Sequence, residues 1–283
     1  MQTEAKPFPA GFDERFLDDR ATRLRYFVAG AGAPVALVHG FAGAASNFAL
    51  LAPLLARHHR VLVPDLPGHG GSAPLPAAPN LAAFADRLAA IAEHERLGAA
   101  TVVGHSMGGI VALRLASRRP ELVDRLVLAA AAGISTTSRV AEIFLVTVAT
   151  LQPARRIARW RMHIARNPRL RALMFDGLST SDGAALPEQA VLGFLAGSRM
   201  YTDIVSAARA LAREDVRLDL ERVRCPSLVL WGARDKQVPL EDGFEYARRL
   251  GAPLRVIADC GHLLVGERAE ACADAIERFA SSA

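Results

Sequence analysis

The residue best suited to covalent chemistry in this chain is Ser106, which lies in the hexapeptide Gly104-His105-Ser106-Met107-Gly108-Gly109. A short apolar run, Thr101-Val102-Val103, precedes this G-x-S-x-G pattern, and an apolar-periodic stretch, Ile110 to Ser117, follows it. Strand, sharp turn and helix in that order are the context of a nucleophile elbow, which presents a serine hydroxyl at the end of a strand. Glycine two positions before and after the serine lets the helix pack against the strand without a Cβ in the way.

A serine hydroxyl needs a base to take its proton, and the base needs an acid that fixes its tautomer. After an elbow of this kind, the acid and then the histidine follow along the chain. The histidines that follow Ser106 are His163 and His262. His163 lies among arginines in a helical stretch, where we expect a surface residue. His262 ends Asp259-Cys260-Gly261-His262, just after the last predicted strand, and is therefore the predicted base.

The predicted acid is Asp235, which ends the segment Trp231-Gly232-Ala233-Arg234-Asp235 just past an apolar strand. Asp259 is the rival, but it is three residues from His262 and is better placed for a turn or a cap. The other strand end that could supply an acid, Ala130 to Gly133, contains none. The predicted catalytic set is therefore serine 106, aspartate 235 and histidine 262.

An oxyanion that forms on the substrate needs preorganised donors, commonly two backbone N–H groups. The residue after the serine, Met107, should supply one. The loop after the apolar run Val35 to Val38 should supply the other, and it reads His39-Gly40-Phe41-Ala42-Gly43, with Phe41 as the predicted donor. This glycine-rich loop lacks the spacing and the lysine of a phosphate-binding loop.

Strand and helix signals alternate along most of the chain, which predicts an α/β fold with a mostly parallel sheet flanked by helices. The alternation stops over residues 134–205, where we expect helices alone. The predicted domains are a core of residues 1–133 and 206–283 and an all-helical cap (lid) inserted at 134–205. The predicted strands lie at 12–29 (a hairpin), 35–38, 60–63, 101–104, 125–130, 227–231 and 254–258, and the core helices at 46–56, 81–97, 240–250, 267–279 and after the elbow.

Composition excludes several classes of protein. With 283 residues, 51% hydrophobic and 22% charged, the chain is long enough to bury a sizeable core. The net charge of +5 comes almost entirely from arginine, since Lys6 and Lys236 are the only lysines, and no nucleic-acid motif accompanies it. The three cysteines, Cys225, Cys260 and Cys272, suit neither a disulfide framework nor a zinc site. Residues 1–10 lack the apolar core of a signal peptide, and we expect a cytoplasmic protein with no integral membrane segment.

The predicted cap carries an arginine-rich stretch without acidic residues between Ala154 and Met174. Ile157, Trp160 and Ile164 fall at helical spacing and predict one apolar face. Two interpretations stay open, a solvated helix surface or a site that attracts an acidic substrate or an anionic surface. The arginines are Arg155, Arg156, Arg159, Arg161, Arg166, Arg169 and Arg171, and the candidates for an apolar acyl pocket, which could equally be core, are Phe144, Phe175, Phe194 and Met200.

Together these motifs resemble the α/β-hydrolase superfamily over nearly the whole chain. The elbow, the oxyanion loop, the acid and histidine loops, and Asp65-Leu66-Pro67-Gly68-His69-Gly70-Gly71-Ser72 all match its pattern. The resemblance implies an α/β-hydrolase fold with structural roles for Asp65 and His69. Serine at the elbow differs from the aspartate of dehalogenases and epoxide hydrolases. His105 differs from the asparagine typical of carbon–carbon hydrolases acting on ring-cleavage products.

The sequence therefore predicts a serine hydrolase that cleaves carboxylic esters of small to medium size through an acyl-enzyme on Ser106. A carbon–carbon hydrolase, and a perhydrolase or acyltransferase with the same triad, are the enzymatic alternatives. A relative that binds a small ligand without catalysis is the non-enzymatic one. No metal or organic cofactor is expected, the partner is a small-molecule substrate rather than a nucleic acid, and the oligomeric state is left open, a homo-oligomer included.

Overall fold

The fold is built around an eight-stranded sheet. The computed structural model describes residues 8–76, 80–135, 139–177, 179–197 and 203–281. The strands are β1 Asp13–Asp19, β2 Thr22–Ala29, β3 Ala33–Val38, β4 His59–Pro64, β5 Ala100–His105, β6 Val123–Ala129, β7 Ser227–Gly232 and β8 Leu254–Ile257. Their order across the sheet is β1-β2-β4-β3-β5-β6-β7-β8. β2 is antiparallel to β1 and β4, and all other neighbours are parallel. The predicted mostly parallel sheet is thereby confirmed.

Helices follow most of the parallel strands. They are α1 Leu51–Leu55, α2 Leu81–His94, α3 Met107–Arg118, α4 Arg139–Leu151, α5 Pro153–Ile157, α6 Arg161–Arg166, α7 Pro168–Phe175, α8 Glu188–Gly197, α9 Ile204–Arg213, α10 Arg217–Leu220, α11 Leu240–Leu250, α12 Leu264–Glu267 and α13 Ala269–Ala280, with 3₁₀ turns at Ala45–Phe48, Pro120–Leu122 and Ala158–Trp160. β5 and β7 are buried along their whole length. Strands covered on both faces read as continuous apolar runs, which is why these were visible in the sequence.

Two predicted helices differ from the structure. A 3₁₀ turn and the short α1 replace the helix predicted over 46–56, because tertiary hydrogen bonds hold the turn: the N–H of Ala45 donates to Asp65 Oδ1 at 2.7 Å, and Ser46 Oγ donates to the carbonyl of Gly193 at 2.6 Å. The α2 helix begins where predicted, with Asn80 Oδ1 accepting from the N–H of Ala83 at 2.7 Å. It ends three residues early because Arg96 adopts a φ of 49°.

Between β6 and β7 the described chain is helical, with α4 to α10 in succession. Part of this insertion has a small apolar core of its own, made of Ile164, Ala165, Phe175, Leu186, Ala190, Val191 and Leu195. The α9 helix crosses the predicted boundary at 205, and its Ala207 and Leu211 belong to the main core. The division of the chain into core and cap stays a prediction. Within the described residues, no helix has the length and apolarity needed to cross a membrane.

Candidate active site

Ser106 occupies a strained turn between β5 and α3. Its φ of 55° and ψ of −121° lie where non-glycine residues are rare. The turn is held by the backbone, since the N–H of Ser106 donates to the carbonyl of Ala129 at 3.0 Å, and its own carbonyl accepts from Gly109 at 2.9 Å and Ala132 at 3.2 Å. A strained residue persists only where its surroundings over-determine it. Here the end of β6 and the start of α3 hold the serine.

The two elbow glycines are required by close packing. A Cβ at Gly104 would lie 2.3 Å from the carbonyl oxygen of Gly108, and a Cβ at Gly108 would lie 2.2 Å from that of Val38. Both distances are well inside van der Waals contact, and both partners are backbone atoms that cannot swing away. Any larger residue at either position would push α3 away from the sheet and move Ser106 with it.

The structure brings the three predicted catalytic side chains together at the carboxyl ends of β5, β7 and β8. Ser106 Oγ lies 3.0 Å from His262 Nε2, and His262 Nδ1 lies 2.8 Å from Asp235 Oδ2. The Asp235 side chain is fully buried and that of His262 is 4% exposed. Since a carboxylate only accepts, Nδ1 carries the proton and Nε2 presents its lone pair to the serine hydroxyl. This arrangement can remove the proton from Ser106.

Backbone donors fix the orientation of Asp235. Its second oxygen, Oδ1, accepts from the N–H groups of Gln237 at 2.8 Å and Val238 at 2.9 Å. The carboxylate is therefore held on one side by its own loop and on the other by the imidazole. The rival acid, Asp259, points away and pairs with Arg234 at 2.6 Å in an exposed position. The rival base, His163, is exposed on α6.

The predicted oxyanion loop lies against the nucleophile. A Cβ at Gly40 would come within 2.9 Å of Ser106 Cβ, and the loop turns back through a 3.1 Å hydrogen bond from the N–H of Gly43 to the carbonyl of Gly40. Among the described residues, no acceptor takes the N–H of Phe41 or of Met107. Backbone N–H groups near a nucleophile without a protein acceptor can stabilise a developing oxyanion.

A buried polar network holds the oxyanion loop, residues 39–43, in place. Asp65 Oδ2 accepts from Arg25 Nε at 2.6 Å and from the N–H of Gly71 at 2.8 Å. His39 Nδ1 donates to the carbonyl of Gly40 at 2.8 Å, and its Nε2 accepts from the N–H of Leu66 at 2.9 Å. Burial lowers the pKa of His39, which keeps the ring neutral and able to accept. The network joins the loops after β3 and β4 into one support.

His69 is buried within the loop after β4. Its Nδ1 donates to the carbonyl of Pro67 at 3.0 Å. Burial first, and the neighbouring His39 second, lower the pKa of His69 to about 3. A ring that stays neutral over the physiological range and bonds within its own loop matches the structural role that the resemblance implied.

His105 connects the elbow directly to the histidine loop, a contact that sequence reasoning did not anticipate. Its Nε2 donates to the carbonyl oxygen of His262 at 2.8 Å, with the two ring centroids 5.0 Å apart. Burial, followed by the proximity of His262, lowers the pKa of His105 to about 3. The ring is therefore neutral at physiological pH, and it holds the backbone that carries His262. No sequence pattern distinguishes this role from ordinary packing.

Glu267 is a second residue that the sequence did not single out. Its Oε2 accepts from the N–H of Gly261 at 2.8 Å, next to His262, and its Oε1 accepts from the N–H of Ser181 at 2.8 Å and from Ser181 Oγ at 2.5 Å. The N–H of Leu263 donates in turn to the carbonyl of Ser179 at 3.0 Å. The histidine loop is thus fastened to a segment of the helical insertion. These partners are far apart in sequence, so no local signal reveals them.

The candidate pocket residues have different positions. Phe175 is buried in the core of the insertion, 6.3 Å from the ring of Phe194, and Phe194 also packs on the main core near Gly266. Met200 and the side chain of Phe144 lie outside the described residues. A substrate role for these four stays a prediction. Among the described residues, no three His, Cys, Asp or Glu side chains are grouped so as to hold a metal ion.

Similarity to known proteins extends over most of this chain. The model of the alpha/beta hydrolase family matches residues 35–275. The 2-hydroxy-6-oxo-6-(2'-aminophenyl)hexa-2,4-dienoic acid hydrolase of Metapseudomonas resinovorans is 30% identical, over 96% of this chain and 92% of that protein. The dihydrolipoyllysine-residue acetyltransferase component of the acetoin cleaving system of Pseudomonas putida is 30% identical over 87% of this chain, which spans only 64% of that protein's length. Among solved structures, a thermophilic esterase from Thermogutta terrifontis is 28% identical with a TM-score of 0.75, over 95% of this chain and 98% of that one.

Proposed function

This chain belongs to the alpha/beta hydrolase family, and from that premise we propose that it is a serine hydrolase that cleaves carboxylic esters of small to medium size. The observation that carries the proposal is the continuous hydrogen-bonded path from Ser106 to His262 to Asp235, with distances of 3.0 Å and 2.8 Å. The similarity to an esterase over nearly the whole chain supports it.

In the acylation step, Ser106 Oγ attacks the carbonyl carbon of the ester while its proton passes to His262 Nε2. The carbonyl oxygen takes up the negative charge and receives hydrogen bonds from the N–H groups of Phe41 and Met107. Asp235 stabilises the imidazolium through Nδ1. When the tetrahedral intermediate collapses, the carbon–oxygen bond to the alcohol breaks, and His262 returns the proton to the departing alkoxide.

Deacylation repeats the sequence with water as the nucleophile. His262 Nε2 removes a proton from water, and the resulting hydroxide attacks the acyl carbon on Ser106. The carboxylic acid leaves and Ser106 recovers its proton from the imidazolium. In both steps His262 Nε2 first accepts a proton, from Ser106 or from water, and then returns it, to the alkoxide or to Ser106.

The direct test combines active-site labelling with kinetics on p-nitrophenyl butyrate. A fluorophosphonate probe should label the protein, and mass spectrometry of the digest should place the adduct on Ser106. Substitution of Ser106→Ala should abolish labelling and lower kcat about 10⁶-fold. Failure of the probe to react, together with no ester turnover, would point to a relative that binds small molecules without catalysis. Full activity in the variant would overturn the role of Ser106.

Carbon–carbon bond hydrolysis is the second candidate, and the relative from Metapseudomonas resinovorans favours it. Against it stands His105, which occupies the position before the serine and donates to the carbonyl of His262. Comparing kcat/KM for p-nitrophenyl esters with that for a vinylogous diketo acid separates the two. A preference of more than about 100-fold for the diketo acid would replace ester cleavage as the principal activity.

A further inference from the structure

Apolar side chains face outward on a limited part of the helical insertion. Nine large hydrophobic residues are exposed among the described residues, and five of them fall between 143 and 173. They are Ile143, Leu151, Trp160, Met162 and Leu173, with relative exposures of 68%, 54%, 57%, 45% and 83%. An exposed concentration of large apolar groups marks a contact surface, whereas single exposed residues do not.

These exposed side chains do not belong to an incompletely packed core. The α6 and α7 helices, which carry Met162 and Leu173, have an inward side on which Ile164, Ala165 and Phe175 are buried in the insertion's own apolar core, and α4 buries Ala149 in a separate cluster. On α7, Arg169 and Leu173 lie four residues apart and are both exposed, so they share an outward face. The outward apolar groups therefore remain available for another partner.

Arginines accompany them without acidic partners. Residues 154–174 contain seven arginines and no aspartate or glutamate. Arg171 donates to the carbonyls of Ala165 and Ala184 within the insertion. The other six pair with no carboxylate anywhere in the described ranges, and the Arg159 guanidinium lies 5.6 Å from the ring centre of Trp160. Five of the six, all but Arg161, are exposed.

We propose that this basic apolar segment, residues 151–173, docks on the surface of a bilayer that contains anionic lipids. Arginine binds lipid phosphates, while tryptophan, leucine and methionine side chains enter the boundary between headgroups and acyl chains. A nucleic acid would satisfy the charge but would leave aliphatic side chains such as Leu151 and Leu173 in water, whereas the headgroup boundary of an anionic bilayer accommodates both kinds of group. An acidic protein with an apolar groove is the competing partner, and binding to protein-free vesicles distinguishes the two. The inference does not depend on the reaction catalysed at Ser106.

Vesicle co-sedimentation tests the docking. The protein should bind vesicles of phosphatidylcholine that contain about a third phosphatidylglycerol, and bind pure phosphatidylcholine about 100-fold more weakly. Raising salt from about 0.1 M to about 1 M should weaken binding, because the screening length falls from about 10 Å to about 3 Å. Equal binding to both vesicle types, or none to either, overturns the proposal.

Fluorescence gives a site-specific readout because the two tryptophans differ completely in burial. Trp160 is 57% exposed, whereas Trp231 is fully buried. Anionic vesicles should shift the emission to shorter wavelength and protect it from iodide, and Trp160→Phe should lose that response while retaining binding. A response that persists in Trp160→Phe would place the contact elsewhere.

Charge-matched variants separate this segment from general positive charge. The triple variant R159Q/R166Q/R169Q should lose about 100-fold in vesicle affinity, at about fivefold per arginine. The control R57Q/R96Q/R222Q removes three exposed arginines of the α/β core and should lose less than about threefold in vesicle affinity.

The apolar side chains are tested in the same way. The double variant W160S/L173S should lose about tenfold in vesicle affinity, and the control F244S/L218S, which changes two other exposed residues, should lose little. All four variants should keep their turnover of p-nitrophenyl butyrate. Equal losses in variant and control, or binding to an oligonucleotide that competes with vesicles through the same arginines at higher affinity, would overturn the lipid assignment.

Discussion

The α/β core and the helical insertion use arginine in opposite ways. Among the described residues outside 134–205, fourteen arginines form ion pairs with carboxylates. In the basic apolar segment, none of the seven does so among the residues described. Arg25, with its side chain 6% exposed, is bound to the fully buried Asp65 beneath the oxyanion loop. Many core arginines are therefore paired with carboxylates, and the Arg25–Asp65 pair holds a loop in place, whereas the arginines of the insertion's basic apolar segment are left available to solvent or to a partner.

The same difference extends to apolar side chains. The largest buried side chains of the core, Trp231, Tyr26 and Tyr246 among them, are less than 2% exposed, while the insertion leaves Leu173 83% exposed. The core therefore has the rigidity that a catalytic geometry requires. Substitutions in the two regions should consequently differ in kind, with losses of catalysis and stability on one side and losses of surface binding on the other.

After the removal of Ser106 itself, the largest effect should come from the buried acid of the core. Asp235→Asn should lower kcat about 10⁴-fold, because the amide favours the wrong imidazole tautomer, which cannot accept the serine proton. Steady-state kinetics on p-nitrophenyl butyrate measure it. The matched control is Asp259→Asn, since that exposed carboxylate pairs with Arg234 and not with His262. A larger loss in the control than in Asp235→Asn would exchange the roles of the two acids.

Breaking the ion pair beneath the oxyanion loop should have the next largest effect. Arg25→Met leaves the buried Asp65 carboxylate without its cation and should reduce the free energy of unfolding by about 3–5 kcal/mol. Urea unfolding followed by circular dichroism measures the change. The exposed pair of Arg234 and Asp259 offers the comparison, and Arg234→Met should cost less than about 1 kcal/mol. Equal losses would contradict the contrast between buried and exposed charge.

The buried His105 makes stability depend on pH. In the folded protein its pKa is lowered to about 3, so between pH 6.5 and about 3 the unfolded chain binds the proton more readily. Stability is therefore lost as pH falls through this window, at about 1.4 kcal/mol per pH unit for this residue. Urea unfolding at several pH values should show a shallower slope for His105→Gln, by about that amount. Parallel slopes for variant and parent would mean that the ring is not held neutral.

The junction between the two regions should show a smaller, more specific effect. Ser181→Ala removes a hydroxyl bound to Glu267 and should cost about 1 kcal/mol in stability. Because Glu267 also holds the amide next to His262, kcat should fall severalfold while KM for a small ester stays unchanged. Ser117→Ala removes a hydroxyl that lies 3.3 Å from Asp219 Oδ1 at the far end of α3 and should leave kcat unchanged. A fall in KM alone would place the effect on substrate binding.

Surface arginines of the insertion should contribute least to stability. Arg166→Gln and Arg169→Gln should each change the free energy of unfolding by less than about 0.5 kcal/mol, because neither has a carboxylate partner among the described residues. Arg171→Gln is the internal comparison, since it loses hydrogen bonds to the carbonyls of Ala165 and Ala184 and should cost about 1 to 2 kcal/mol. Thermal unfolding in a common buffer ranks the three. A large loss at Arg166 would reveal a structural contact on the outward face.

Much of the fold and of the candidate site was predictable, because apolar runs and the elbow motif are local signals. Apolar runs bounded by glycine and proline predicted the strands, and β5 with the elbow predicted the position of Ser106. Chain order then selected Asp235 and His262, which the structure brings into hydrogen-bonding distance of each other and of Ser106. The helix predicted over 46–56 is confirmed only at Leu51–Leu55, because Asp65 and Gly193, remote in sequence, hold the preceding backbone in a 3₁₀ turn.

The amino-acid sequence by itself predicted the α/β fold, the elbow and the choice of Ser106, Asp235 and His262, since periodicity, glycine placement and the order of residues along the chain can be read without knowing any distance. Only the tertiary structure decided that His105 donates a hydrogen bond to the backbone carbonyl of His262, and that Glu267 joins the loop of His262 to Ser181. It also decided that the arginines near Trp160 have no acidic partner among the described residues. Those facts depend on distances between segments that are remote in the chain. Such distances are set by packing, which no local pattern encodes.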